Sequence, residues 1–403
     1  MTQRLLLPIA MVLALPLGAQ QKFDPTNMVV LGEGLAAGVA DFSLKDVYQK
    51  KNFGAQLAEQ MSVAFPQPLM QGTGLGNVPG FPEMPVRAPG PGQGAVRADF
   101  PPQLFVFNLS VPGYKLTDTF GRRPSTPLIR NQDMTQTLAN FILGYPALLL
   151  KDKPLWTQIE YAQQMNPTFA IVELGFGEIL EAAAAGDLTR LPDAAAFKTA
   201  YTTLLNTLRN NGATTVLAMT VPDPSDTAYY TTLPAAQRLV QAPPSILQNL
   251  YKLNATDLLT VAGVTEIAAQ IDNKQATTLP PGSVVTAATA AQITTAVNNL
   301  NAAITAAAQS NGALVYDLKS FYSRVKANGV FVGKNFLSSQ YMGGFYSLNG
   351  YYPGATGHAL IANEILNQLN STFGTPYPLL NIIEIANRDA TVRQATQPGG
   401  SIQ

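Results

Sequence analysis

The chain has 403 residues, 46% hydrophobic and 12% charged, with 25 basic and 25 acidic side chains and zero formal net charge. That composition supports a large buried core and gives no electrostatic footprint for nucleic acid or an anionic membrane. No cysteine is present, which excludes disulfides, thiolate catalysis, iron–sulfur clusters and cysteine-zinc sites; His358 is the single imidazole.

Residues 1–19 combine Arg4, the apolar run Leu5–Leu17 and the small pair Gly18-Ala19. This is the n-, h- and c-region pattern of a secretory signal, too short to span a bilayer, and it predicts export. No later stretch is long and apolar enough for a transmembrane helix. Met28 to Leu31 is an apolar run ending in Gly32, a buried strand entering a turn. Residues 66–102, rich in Gly and Pro, read as an irregular surface excursion. Leu104 to Phe107 is a second predicted strand, ending before Pro112-Gly113, and Phe169 to Val172 is a third, ending at Gly175.

Phe197 to Leu208 reads as a helix closed by Asn211-Gly212, followed by a strand over Thr215 to Met219. Residues 225–287 are low in charge and rich in Ala, Thr, Asn and Pro, and have the character of an insertion. Ala288 to Gln309 is Ala-rich, with Ile293, Val297, Leu300 and Ile304 at helical spacing. Leu314 to Tyr316 is a fifth strand, and His358 to Leu369 a final amphipathic helix that Thr356 could cap. Residues 384–403 read as a loose tail. Short strands alternating with helices predict a single α/β domain over residues 20–383, a three-layer sandwich with a central parallel sheet flanked by helices.

In such a sheet the functional loops follow the strand ends. Four are conspicuous: Gly32-Glu33-Gly34-Leu35-Ala36-Ala37-Gly38, Asn108 to Gly113, Gly175-Phe176-Gly177-Glu178, and Ser347 to Pro353. Their order and setting resemble the SGNH (GDSL-type) hydrolases, a family of esterases and lipases with a flavodoxin-like sheet, and in particular its large extracytoplasmic bacterial branch. The resemblance covers about Met28 to Ile382. It implies that the nucleophilic serine falls on Gly34, the oxyanion-hole glycine on Gly113, and the oxyanion-hole asparagine on Gly177. The triad aspartate falls on Asn349 and the general-base histidine on Tyr352. Framework residues Leu35, Gly38, Asn108, Val111, Pro112, Gly175, Ser347, Leu348, Gly350 and Pro353 match. The catalytic side chains do not, so no catalytic residue is expected.

Acyl transfer needs a nucleophile, a base and oxyanion donors together. Gly34 and Gly177 have no side chain, and a phenol of ordinary pKa near 10 is a poor base at neutral pH. His358 follows the family's catalytic position, where the resemblance implies an aromatic or His with a packing role. Ser110, Glu33 and Glu178 are the remaining polar candidates; a serine in a tight loop and carboxylates that cap turns account for them without catalysis. Asp223 and Asp226 read as turn residues. The cluster Phe345, Tyr346, Tyr351 and Tyr352 fits a ligand wall and plain packing equally.

The expected function is therefore an exported, non-catalytic protein that binds a small acyl, lipid or glycan ligand, or serves the envelope as a scaffold. The expected cleft comprises Glu33, Gly34, Ser110, Gly113, Gly177, Glu178, Tyr351 and Tyr352. Two rivals stand beside it: an ester hydrolase using Glu178, Ser110 or His358, and a structural surface protein with a filled cleft. Neither cofactor nor metal is implied.

Overall fold

A computed structural model describes residues 23–76, 78–79, 81, 97, 104–130, 132–150 and 152–396. The expected signal, residues 1–19, lies outside them, as does most of the stretch 82–103.

The central sheet grows from runs that are apolar at almost every position, the mark of strands covered on both faces. β1 (Met28–Gly32) pairs in parallel with β2 (Phe169–Glu173), β2 with β3 (Thr215–Met219), and β3 with β4 (Leu314–Tyr316). All five residues of β1 and of β2 are buried. The molecule is thus mixed α/β, with a parallel four-stranded sheet flanked by helices.

The segment expected to form a strand at Leu104 to Phe107 does so only in outline. It meets β1 through one parallel bridge, Val30 to Asn108, with hydrogen bonds from Val30 N to Phe107 O (2.9 Å) and Leu109 N to Val30 O (2.9 Å). The Phe107 N–H is drawn off to the Pro66 carbonyl at 2.8 Å, so a longer ladder has no donor there. Counting this segment, the spatial order is second, first, third, fourth, fifth, and the carboxyl ends of all five point the same way.

Several helices begin at polar side-chain caps, though not all do. α1 (Gly34–Ala37) is a single turn after β1, and α2 (Phe176–Ala185) follows β2 directly. α3 (Ala194–Arg209) starts three residues before the first apolar position of its predicted span, because the Asp193 carboxylate accepts from Ala196 N. α4 (Ala287–Ser310) is capped by Thr286; α3 and α4 pack on each other and on β3. Asn301 of α4 clamps the strand end, its amide accepting from Val221 N at 2.6 Å and donating to Val221 O at 2.8 Å.

The insertion is a built unit. Tyr230–Thr232, Leu258–Thr260 and Val284–Val285 form an antiparallel sheet beside helices Leu233–Val240, Pro244–Tyr251 and Val261–Asp272. Leu233, Leu247, Leu259, Val264 and Ile267 give it an apolar cluster of its own.

Three expectations are corrected. α5 (Ala355–Phe373) begins at Gly354 without a side-chain cap; Thr356 lies inside it and donates through Oγ1 to Asp389 Oδ2 at 2.8 Å. The loose tail is instead, as far as Thr396, two helices, α6 (Ile382–Arg388) and α7 (Ala390–Thr396), which bury Ala386 and Val392. The described part of the Gly/Pro-rich excursion forms no helix, yet Met70, Leu75 and Arg97 are buried, with bridges Leu44–Leu75 and Met70–Arg97.

Candidate functional site

Gly34 opens the turn after β1, and Tyr352 reaches the same point from a loop 318 positions later. A Cβ built on Gly34 would collide with the phenol, lying 2.6 Å from Cζ and 2.9 Å from Cε2 of Tyr352. The tyrosine ring therefore occupies the volume that a serine side chain would need. Its hydroxyl donates to Glu33 Oε2 at 2.8 Å, and its ring meets Phe176 edge-on at 6.2 Å. Burial and then the charge of Glu33 push the phenol pKa well above its ordinary value. Tyr352 is a neutral donor here, not a base.

The loop that delivers this ring is organised by Asn349. Its Oδ1 accepts from Tyr351 N at 2.8 Å and Tyr352 N at 2.9 Å, an Asx-type turn that a carboxylate oxygen could equally hold. Ser347 Oγ donates to the Tyr352 carbonyl at 3.0 Å.

Beneath the phenol lies a carboxyl that the sequence reading missed. Glu173, the last residue of β2, is 3% exposed and Glu33 is 1% exposed. Glu173 Oε2 accepts from Glu33 N and Ala36 N, each at 3.2 Å, tying β2 to the first turn after β1. The two carboxyl groups share one buried site, close enough for each to shift the other's titration. Two buried carboxylates cannot both stay ionised at that range, so the pair holds a proton. Burial raises the pKa of both, and the negative charge of Glu33 raises Glu173 further, whereas N–H groups and the Tyr352 hydroxyl oppose the rise at Glu33. At Glu173 the two N–H donors it accepts from likewise oppose the rise. The available signal was a glutamate closing an otherwise apolar strand, Phe-Ala-Ile-Val-Glu, where a buried strand should have none.

Gly113 has φ of +83°, a conformation favouring glycine, and faces Thr135. Gly177, in the first turn of α2, has the Tyr114 carbonyl 2.7 Å from any added Cβ. An asparagine side chain at 177 would require that backbone to move. The asparagine that the resemblance implies at 177 is thus a glycine, and main chain closes the space beside it.

Next to the phenol a cavity of about 310 Å³ remains, lined by Glu33, Gly113, Gly177 and Tyr352, with apolar walls that include Val39 and Leu180. Arg190 and Glu181 stand in its lining, and Glu181 is paired with Lys115 at 2.8 Å. Of the expected cleft residues, Gly34, Ser110, Glu178 and Tyr351 are not in this wall. Ser110 is buried with its Oγ unpartnered among the described residues, so no base activates it. Tyr351 is fully buried and stacks on Tyr229 at 4.1 Å, packing toward the insertion. Phe345 and Tyr346 are likewise core residues.

Glu178 is buried; one oxygen accepts from Leu116 N at 2.7 Å and the other has no partner among the described residues. Burial, with a smaller contribution from Glu33, pushes its pKa up to about 7. His358 is also buried. Its Nδ1 accepts from Phe53 N at 3.3 Å, its ring stacks on Phe53 at 6.2 Å, and burial pulls its pKa down to about 3. It is a neutral packing residue, and among the described residues no serine or threonine hydroxyl is hydrogen-bonded to it. Asp223 accepts from Ser225 N at 2.8 Å and Asp226 Oδ2 from Ser323 Oγ at 2.5 Å, as turn residues do.

No group of three or more potential metal ligands occurs among the described residues, and no helix of the described chain is long and apolar enough to cross a membrane. Scanned against protein-family models and against curated proteins, the chain matches none.

Proposed function

We propose that this is an exported protein of SGNH-hydrolase fold whose catalytic set has been replaced, and that it holds a small acyl-, lipid- or glycan-like ligand in what remains of the ester cleft. One observation carries the reading. The Tyr352 phenol fills the space beside Gly34 and is bonded to Glu33, while a cavity of about 310 Å³ stays open alongside. A pocket of that size with apolar walls and a few convergent polar groups is suited to a small ligand. Gly34 and Gly177 carry no side chain and the Tyr352 phenol is held neutral, so the nucleophile, base and second oxyanion donor of acyl transfer are missing from those positions.

The decisive experiment treats the purified mature protein with a fluorophosphonate probe and with short activated esters. No labelling is expected, and turnover equal to a denatured control. Thermal shift against C8–C12 fatty acids and N-acetylated saccharides should find a stabilising ligand, whose effect Ala185→Trp in the cavity wall abolishes. Labelling of Ser110, or turnover lost in His358→Ala, would restore the hydrolase. Export is tested separately: mature protein from the envelope or medium should begin near Gln20, and an intact Met1 would refute it.

A further inference from the structure

A second cavity, of about 470 Å³, shares no lining residue with the cleft and sits where the insertion meets the C-terminal third of the chain. Two cations face it: Arg238 from the helix Leu233–Val240 and Lys326 from the helix Leu318–Asn328. Among the described residues no carboxylate is in the wall. Arg238 donates to the neutral amide of Gln340, and Lys326 Nζ to the Ser225 carbonyl at 3.1 Å. Asp226 lies near enough to feel Lys326, but its carboxylate accepts from Ser323 and is not in the lining. Among the described residues neither cation is in an ion pair.

The rest of the wall is rich in neutral hydrogen-bonding groups: Thr231, Ser338, Ser339, Gln340 and Tyr341. Phe336 also lines it, 49% exposed, its ring 4.9 Å from that of Phe331, itself 75% exposed. One side is a tight turn, with Gly343 N bonded to Gln340 O and Ser338 N to Gly343 O, each at 2.8 Å. Within that turn Met342 has φ of +57°, the one apolar side chain among the non-glycine residues in the left-handed region. Such a conformation is unfavourable for methionine and is held by its surroundings.

We propose that this cavity is a binding site for an acidic saccharide, one bearing carboxylate or sulfate. Uncompensated Arg and Lys fit an anionic group, and Arg can hold a carboxylate or sulfate through two parallel hydrogen bonds. Hydroxyl and amide groups, which both donate and accept, match sugar hydroxyls. The exposed Phe336 ring supplies a flat apolar surface for the C–H face of a pyranose. A bare anion uses the cations and leaves Phe336 and most of the volume idle. A neutral sugar leaves both charges uncompensated.

The test is titration calorimetry of the full mature chain with digalacturonate, a sulfated heparin disaccharide, cellobiose and inorganic sulfate. At least one of the two charged disaccharides should bind at least about tenfold more tightly than either cellobiose or sulfate, with affinity falling as salt is raised. Arg238→Gln and Lys326→Gln should each weaken it by about tenfold, the loss of one charge-assisted bond, and Phe336→Ala by a few fold. The cations and Phe336 are exposed, so these variants should retain the parent melting temperature; a variant that fails to fold is replaced by Lys326→Ala or Phe336→Leu. No binding of either charged disaccharide, sulfate binding as tightly as they do, or affinity unchanged in the Arg and Lys variants would overturn the proposal.

Discussion

At the residue scale the chemistry is governed by buried protons. Glu178, Glu33 and Glu173 all have raised pKa values, so the folded state retains protons that the unfolded chain would release. Stability from such groups is full below the unfolded value near 4.5 and is lost as pH rises through the folded value. His358 has the opposite sign: with its pKa lowered to about 3, it costs stability as pH falls below 6.5. The two effects oppose each other between pH 4.5 and 6.5, and only the glutamates act above it. Chemical denaturation should therefore show stability declining from pH 6.5 to 8, by about 1 kcal/mol from Glu178 alone. Glu178→Gln keeps the acceptor for Leu116 N and should flatten that decline. A profile unchanged by the substitution would mean that Glu178 titrates normally.

Gly34 and Tyr352 should behave as one unit. Gly34→Ser alone drives a side chain into the phenol and is expected to cost about 1–3 kcal/mol. Combined with Tyr352→His the cost should shrink, a coupling that a double-mutant cycle measures directly. Placing the residues that the resemblance implies at all four positions, with Gly177→Asn and Asn349→Asp added, should still give no esterase activity, since the Tyr114 carbonyl occupies the space an asparagine needs. Turnover above a denatured control in that variant would show that this backbone yields. The sequence made Gly34, Gly113, Gly177 and Tyr352 readable as converging positions, because glycine in a strand-end turn is a local signal. It did not reveal Glu173 or the Tyr114 carbonyl, whose importance arises only from what the fold places against them.

Among elements, the strands were legible wherever burial is complete. Met28–Gly32, Phe169–Glu173 and Thr215–Met219 are apolar on both faces and need no partner to be recognised. Leu104 to Phe107 has the same composition, but pairing is a tertiary matter, and the Pro66 carbonyl takes a donor the ladder would have used. The C-terminal helices were illegible for a related reason. Their helical pattern is weak, and a buried carboxylate fixes them: Asp389 Oδ2 accepts from Thr356 N at 2.7 Å as well as from the Thr356 hydroxyl. Asp389→Ala should cost roughly 1–3 kcal/mol by leaving those donors unsatisfied. Amide exchange should accelerate across residues 382–396 while β1 to β3 stay protected. Uniform acceleration throughout would mean the anchor serves the whole fold.

Taken whole, the molecule is sewn together by contacts remote in sequence. Glu33 and Tyr352 are 319 positions apart, Phe53 and His358 305, and β1 finds its main partner 141 residues downstream. This has a kinetic consequence. A fully apolar first strand has to wait for most of the chain before its surface is covered, and parallel pairing of that span is slow to form. The cleft beside Tyr352 is then among the last features to exist, because its wall joins the first turn to the penultimate loop. Trp156, buried and packed 5.5 Å from Tyr161, reports on an earlier stage. In refolding from urea its fluorescence should recover before competence to bind a cleft ligand, and simultaneous recovery would argue for a single concerted step. A ligand of the proposed kind would thus be engaged only once nearly all of the chain is in place, and its binding would be a signature of completed folding.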